Sequence, residues 1–186
     1  MSNLTTIPMT VAATPAAMLA AERPQWFAIQ TRAKHEKKIA SELSMRGVTA
    51  FVPTMREIRR WSDRRKVIDA ALFSCYAFVQ AALSGELYLR VLQVPGVLRW
   101  VSFNGQPTSI PDAQIEAVRQ IVNNSVACSP YPFLKAGDRV RIRGGCLEGV
   151  ECVLVSDPSE RRLVVSIESL QRSISIAADG YDLEPL

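Results

Sequence analysis

The chain has 186 residues, 48% of them hydrophobic and 22% charged, and a net charge of +4. This is the balance of an ordinary soluble globular protein of one or two domains, at about 100–200 residues per domain, and no stretch approaches the roughly 18–20 uncharged apolar residues of a membrane span. One histidine, His35, and four cysteines (75, 128, 146 and 152), no two spaced Cys-x-x-Cys, argue against a metal centre and imply no cofactor.

Residues 1–22 are Thr/Ala/Pro-rich, with no periodicity and no basic opening to a signal peptide. They read as a disordered leader of a protein that is not secreted. Trp26–Thr31 reads as a strand. In Lys34–Arg46, Ile39 and Leu43 share one face and Gly47 supplies a stop, so a helix is expected. Val48–Val52 is a second strand, closed by Pro53. Residues 56–66 form a basic hairpin arm turning at Ser62-Asp63, and Leu72–Gln80 is a third strand rich in aromatics. Leu87 and Val91 mark a second helix, stopped by Pro95-Gly96. Val97–Phe103 is a strand, and Asn104-Gly105 is a tight-turn signal. Pro111-Asp112 opens a third helix, with Ile115, Val118, Ile121 and Val122 on one face. This order implies an α+β fold in which helices cover an antiparallel sheet.

Asn123–Pro132 reads as a linker. Beyond it the hydrophobic period falls to two: Val140 and Ile142 alternate with Arg139, Arg141 and Arg143, and further short strands follow. Such strands make a small β-barrel. Four segments are expected: leader 1–22, a first domain 23–123, a linker 124–133 and a barrel 134–186. Residues 139–155 should hold as strands. A helix there would carry Gly144, Gly145 and Gly149, each costing about 1 kcal/mol relative to alanine, besides several β-branched residues.

The charge is unevenly divided. Residues 22–66 carry 12 Lys+Arg against 5 Asp+Glu, and the rest of the chain carries 10 against 13. A basic third on a slightly acidic remainder suggests either a polyanion partner or a solvated charged face.

Four ordered segments resemble the NusG family of transcription elongation factors. They are Trp26–Thr31 with Glu36 and Leu43; Phe51-Val52-Pro53-Thr54 before the basic arm; Leu72–Val79; and Val94-Pro95-Gly96-Val97 through Trp100-Val101 to Ile110-Pro111. Ala136–Ile142 with Gly145–Gly149 resembles the KOW barrel motif of the same family. The resemblance implies an N-terminal NGN-like domain and a C-terminal SH3-like KOW β-barrel. Two departures stand out. Ser74-Cys75 replaces the usual Pro-Gly before Tyr76, and Cys152 stands where a glycine is usual. Leu170–Ser173 looks like specialised paralogues that antiterminate polysaccharide operons.

The resemblance implies that Phe73 and Tyr76, with Trp26 and Phe27 in the neighbouring strand, belong to a hydrophobic depression that grips the clamp helices of RNA polymerase. Strand alternation also allows Tyr76 and Phe78 to be core, and requires one of Trp26 and Phe27 to be so. Arg32, Lys34 and His35 open the first helix, where the positive helix end favours phosphate. The resemblance places them near the non-template DNA strand. Lys37 and Lys38 pair with Glu42 or face solvent. In the arm, Arg59, Arg60 and Trp61 combine cations with an aromatic ring, which suits single-stranded nucleic acid, although a solvated hairpin would look the same. Arg139, Arg141 and Arg143 either meet RNA or an acidic surface, or only keep the barrel soluble.

The implied function is that of a cytoplasmic, non-enzymatic transcription factor. It would bind RNA polymerase and non-template DNA or nascent RNA, and recruit a ribosomal protein or termination factor through the barrel. With strands held in the barrel, the polymerase face should be open. A housekeeping role, or a ribosome- or RNA-associated KOW protein, are the alternatives. No P-loop, Gly-x-Ser-x-Gly or acid pair points to an enzyme.

Overall fold

The structure is a computed structural model that describes residues 23–60, 65–133, 137–157 and 160–186. The expected leader, the Ser62-Asp63 turn and Trp61 lie outside the described residues, as do the side chains of Arg59 and Arg60.

In the N-terminal half, β1 (Gln25–Thr31), α1 (Glu36–Met45) and β2 (Thr49–Phe51) lead into the arm formed by β3 (Thr54–Arg60) and β4 (Arg65–Ala71). Next come β5 (Tyr76–Ala81), α2 (Gly85–Leu92), β6 (Val97–Trp100), the hairpin β7 (Ser102–Phe103) and β8 (Gln106–Pro107), β9 (Ser109–Ile110) and α3 (Asp112–Asn123). The sheet order is β2-β5-β1-β6, with β9 also pairing to β1, and its recorded pairings are antiparallel.

This sheet is covered on both faces. Phe27, Ile29, Ala77 and Val79 pack with Ile39, Leu43, Val91 and Trp100. Trp26, Ala28 and Phe78 pack with Ile110, Ile115, Val118 and Ile121 of the α3 side. Alternation therefore sorts Trp26 and Phe27 to opposite faces without exposing either, at 4% and 3% of their surface. Alternation requires one of the pair to be core, and both are, because the sheet is the middle layer of three; neither ring is exposed as a polymerase anchor.

The helix starts follow local chemistry. The Ser84 side chain accepts from the Leu87 N–H and caps α2. Pro111 precedes α3, where a missing N–H costs nothing. Asn104 and Gly105 at φ 49° and 80° make the expected two-residue turn between β7 and β8.

The C-terminal half is a six-stranded sheet in the order β10-β14-β13-β12-β11-β15. Its strands are β10 (Cys128–Tyr131), β11 (Asp138–Arg143), β12 (Glu151–Asp157), β13 (Glu160–Ile167), β14 (Arg172–Ala177) and β15 (Asp182–Pro185). Val140, Ile142, Leu163, Val165, Ile174 and Ile176 fill its interior. Part of the stretch read as a linker thus contributes an edge strand, Cys128–Tyr131, hydrogen-bonded along β14. Cys152 is buried in β12 in an ordinary strand conformation, so the cysteine in place of glycine fills barrel space without backbone strain. Burial pushes its thiol up to about 12, which keeps it protonated and unreactive.

Arg139 and Arg141 both pair with Glu151, at 3.4 and 2.8 Å, and Arg143 pairs with Glu184. The arginine stripe is therefore matched by acids on the strands beside it, which favours the solubilising reading over a phosphate-binding one.

The two halves touch. The short 3-10 turn Gly145–Leu147 and strand β13 pack on α3, and a second turn, Glu168–Leu170, packs on β9. Asn124 Nδ2 donates to the Cys146 carbonyl at 3.0 Å, and the Glu168 N–H donates to Gln114 Oε1 at 3.3 Å. A cleft of about 950 Å³ lies beside this junction. The barrel thus rests on α3 and β9, while Phe51, Met55 and Tyr76 stay partly exposed at the rim of the aromatic face.

Candidate polymerase and nucleic-acid surfaces

The aromatic face is built from four separate segments. Phe73 meets Phe78 edge-on at 5.7 Å, Phe51 lies 6.2 Å from Phe78, and Trp26 meets Phe51 edge-on at 6.4 Å. The α3 residue Arg119 lays its guanidinium over the Trp26 and Phe51 rings at 5.4 and 5.2 Å. A cation over a ring face is attracted by the ring quadrupole. This places a positive charge at the edge of an apolar surface.

Phe73 is only 4% exposed, which corrects the expectation of a free anchor on the sheet. The reason is local. Leu72–Cys75 is not strand but the turn that leads into β5, so alternation does not apply, and the turn folds the Phe73 ring back onto Phe78. On this face, among the described residues, the half-buried aromatics are Tyr76 and Phe51. Neither Arg119 nor Phe51 was legible as a site residue. The contact joins positions 51 and 119, and no local pattern encodes a separation of that size.

The basic corner is the loop between β1 and α1. Arg32, Lys34 and His35 are all exposed there. The Arg32 N–H donates to the Gly96 carbonyl at 2.8 Å, and His35 Nδ1 sits 3.0 Å from the Ala33 carbonyl. His35 is the residue before α1 and offers no side-chain cap, so no capping side chain takes up the first-turn N–H groups beside the three side chains. Lys34 adopts a left-handed backbone at φ 65°. A non-glycine residue there costs about 1–2 kcal/mol.

Lys34→Gly is accordingly expected to raise thermal stability by about 0.5–1 kcal/mol, the strain relieved less the extra freedom given to the unfolded chain. It should also weaken binding to single-stranded DNA and flatten its salt dependence. Thermal unfolding and titration at several salt concentrations check both.

Lys37 pairs with Asp69 of the arm at 3.5 Å, whereas Glu42 is taken by Arg46. Of the two expectations for Lys37 and Lys38, exposure to solvent holds and pairing with Glu42 does not, and the Lys37–Asp69 contact ties the base of the arm to α1. Between the corner and the aromatic face lies Glu36, only 5% exposed, whose Oε1 accepts the Cys75 N–H at 2.8 Å. In the sequence Glu36 stands out only through the resemblance.

A family model described as "Transcription termination factor nusG" matches residues 24–119. The transcription termination/antitermination protein NusG of Helicobacter pylori J99 is 25% identical over 163 residues, covering 81% of this chain and 92% of that protein. The NusG proteins of Campylobacter jejuni (28% over 130 residues, 65% and 73% covered) and Borreliella burgdorferi (24% over 183 residues, 87% and 98% covered) are also similar. A solved structure described as "Domain interaction in Thermotoga maritima NusG" aligns over 88% of this chain and 93% of its own, at 22% identity and a TM-score of 0.45. Among the described residues, no helix is long and apolar enough to cross a membrane.

Proposed function

The chain belongs to the NusG family of transcription termination and antitermination proteins, and from that premise we propose that it binds RNA polymerase and suppresses pausing or termination on specific operons. The observation that carries this reading is the pairing of two surfaces on one small unit. One is the rim where the half-buried Phe51 and Tyr76, backed by the buried Trp26 and Phe78, are edged by Arg119. The other is the exposed Arg32–Lys34–His35 corner at the start of α1.

Aromatic rims provide large contact area at little entropy cost, and a rim arginine adds orientation. The aromatic face fits the clamp region of polymerase, with Phe73 as the buried support of Tyr76 rather than the contact itself. The basic corner, with the arm residues Arg59, Arg60 and Trp61, fits the non-template strand or nascent RNA. A ligand that prefers the closed, elongating enzyme draws population from the paused one. A preference of about 1.4 kcal/mol changes that ratio tenfold. The barrel would recruit a ribosomal protein or termination factor in the cytoplasm, and tethering makes even a weak contact count.

Mapping of chain occupancy across the genome tests the specific-operon part. Signal confined to one or a few transcription units is expected. Signal on every unit would identify a housekeeping factor, and copurification with ribosomes without polymerase would overturn the reading.

A further inference from the structure

We propose that Glu36 is a positioning residue that couples the basic corner to the aromatic turn, so that nucleic acid bound at one raises affinity for polymerase at the other. The inference rests on the functional reading above, and its evidence is the way the two segments are joined.

Residues 32–35 and 73–76 are far apart in sequence, and each contains a non-glycine residue in the left-handed region, Lys34 at φ 65° and Cys75 at φ 68°. Such conformations persist only where the surroundings over-determine them. The surroundings here are a short chain of hydrogen bonds. The Thr31 N–H donates to the Cys75 carbonyl at 2.8 Å, and the Cys75 N–H donates to Glu36 Oε1 at 2.8 Å. Both polar groups of the Cys75 backbone are thus held by the β1–α1 connection, one from each side of the corner.

Glu36 is the side chain in that chain, and it sits in the first turn of α1, where the helix end favours a carboxylate. Burying it is costly unless it is hydrogen-bonded, and the Cys75 amide supplies a bond. A phosphate that orders Arg32–His35 fixes the start of α1. Fixing that start fixes the Glu36 carboxylate, and with it the turn that aims Phe73 inward and Tyr76 at the rim. Coupling of this kind is reciprocal: polymerase on the aromatic face must tighten the corner for nucleic acid by the same factor.

The test uses the full-length chain, core RNA polymerase and a single-stranded DNA oligonucleotide. The unaltered chain is expected to bind polymerase about 5–50-fold more tightly with saturating oligonucleotide than without it, the ordinary range of such coupling. Glu36→Ala should reduce that ratio below about twofold, and Glu36→Gln, whose amide oxygen still accepts the Cys75 N–H, should restore most of it. A ratio unchanged in Glu36→Ala, or a Glu36→Gln variant as defective as Glu36→Ala, would overturn the coupling while leaving the functional reading intact. Failure of the unaltered chain to bind polymerase would instead overturn the functional reading. Should Glu36→Ala not fold, hydrogen exchange of the Cys75 amide in the unaltered chain decides the matter. Slower exchange on adding the oligonucleotide supports the proposal, and unchanged exchange overturns it.

Discussion

Phe73→Ala is expected to destabilise the N-terminal half by about 3–5 kcal/mol, the cost of emptying a buried aromatic site. The ring is 4% exposed and packed edge-on against Phe78, so its loss leaves a hole beneath the turn that carries Tyr76. Tyr76→Ala removes a half-buried ring instead. It should lower stability by only about 1 kcal/mol while weakening polymerase binding by about 1–3 kcal/mol, the range of an interface anchor. Thermal unfolding and polymerase titration of both variants check this. A Phe73→Ala variant that keeps full stability and loses binding would mean that the ring is free and the packing account is wrong.

Gly137→Ala is expected to cost the barrel about 2–4 kcal/mol, combining backbone strain with overpacking. Gly137 has φ 150°, and a Cβ placed there would lie 2.4 Å from Val153 Cγ1 across the β11–β12 pairing. Valine is stiff at χ1 and cannot swing aside cheaply. The glycine of the Ala136-Gly137-Asp138 motif is thus required by close approach of one strand to the next. Equilibrium denaturation of the full chain should show the loss. Unchanged stability would mean that β12 can shift away from residue 137.

Legibility followed range. The alternation of Val140 and Ile142 with three arginines made β11 readable, because one buried face imposes a period of two. The Asn104-Gly105 turn and the Pro111 helix start were readable because they depend on one or two residues. Strands β10 and β15 were not. Cys-Ser-Pro-Tyr and Asp-Leu-Glu-Pro carry no alternation and become strands only because β14 and β11 offer free edges. The resemblance identified the aromatic segment and the basic corner but not their depth. The resemblance makes Phe73 an anchor and Leu72–Gln80 reads as one strand, whereas the chain turns at Ser74-Cys75 and buries the ring. Arg119 over Trp26, Lys37 with Asp69 and Glu36 with Cys75 each join distant segments, so only the folded chain reveals them.

The central claim is that the aromatic face and the basic corner together hold an elongating polymerase in its active state. It is tested most directly by single-round transcription through a strong pause site with purified core RNA polymerase, with and without the full-length chain. The account predicts a shorter pause with the unaltered chain. That effect should be largely lost in Tyr76→Ala, and reduced when Arg32 and Lys34 are replaced, by more at low salt than at high salt. A pause of unchanged length at saturating protein, or an effect that Tyr76→Ala leaves intact, would contradict it.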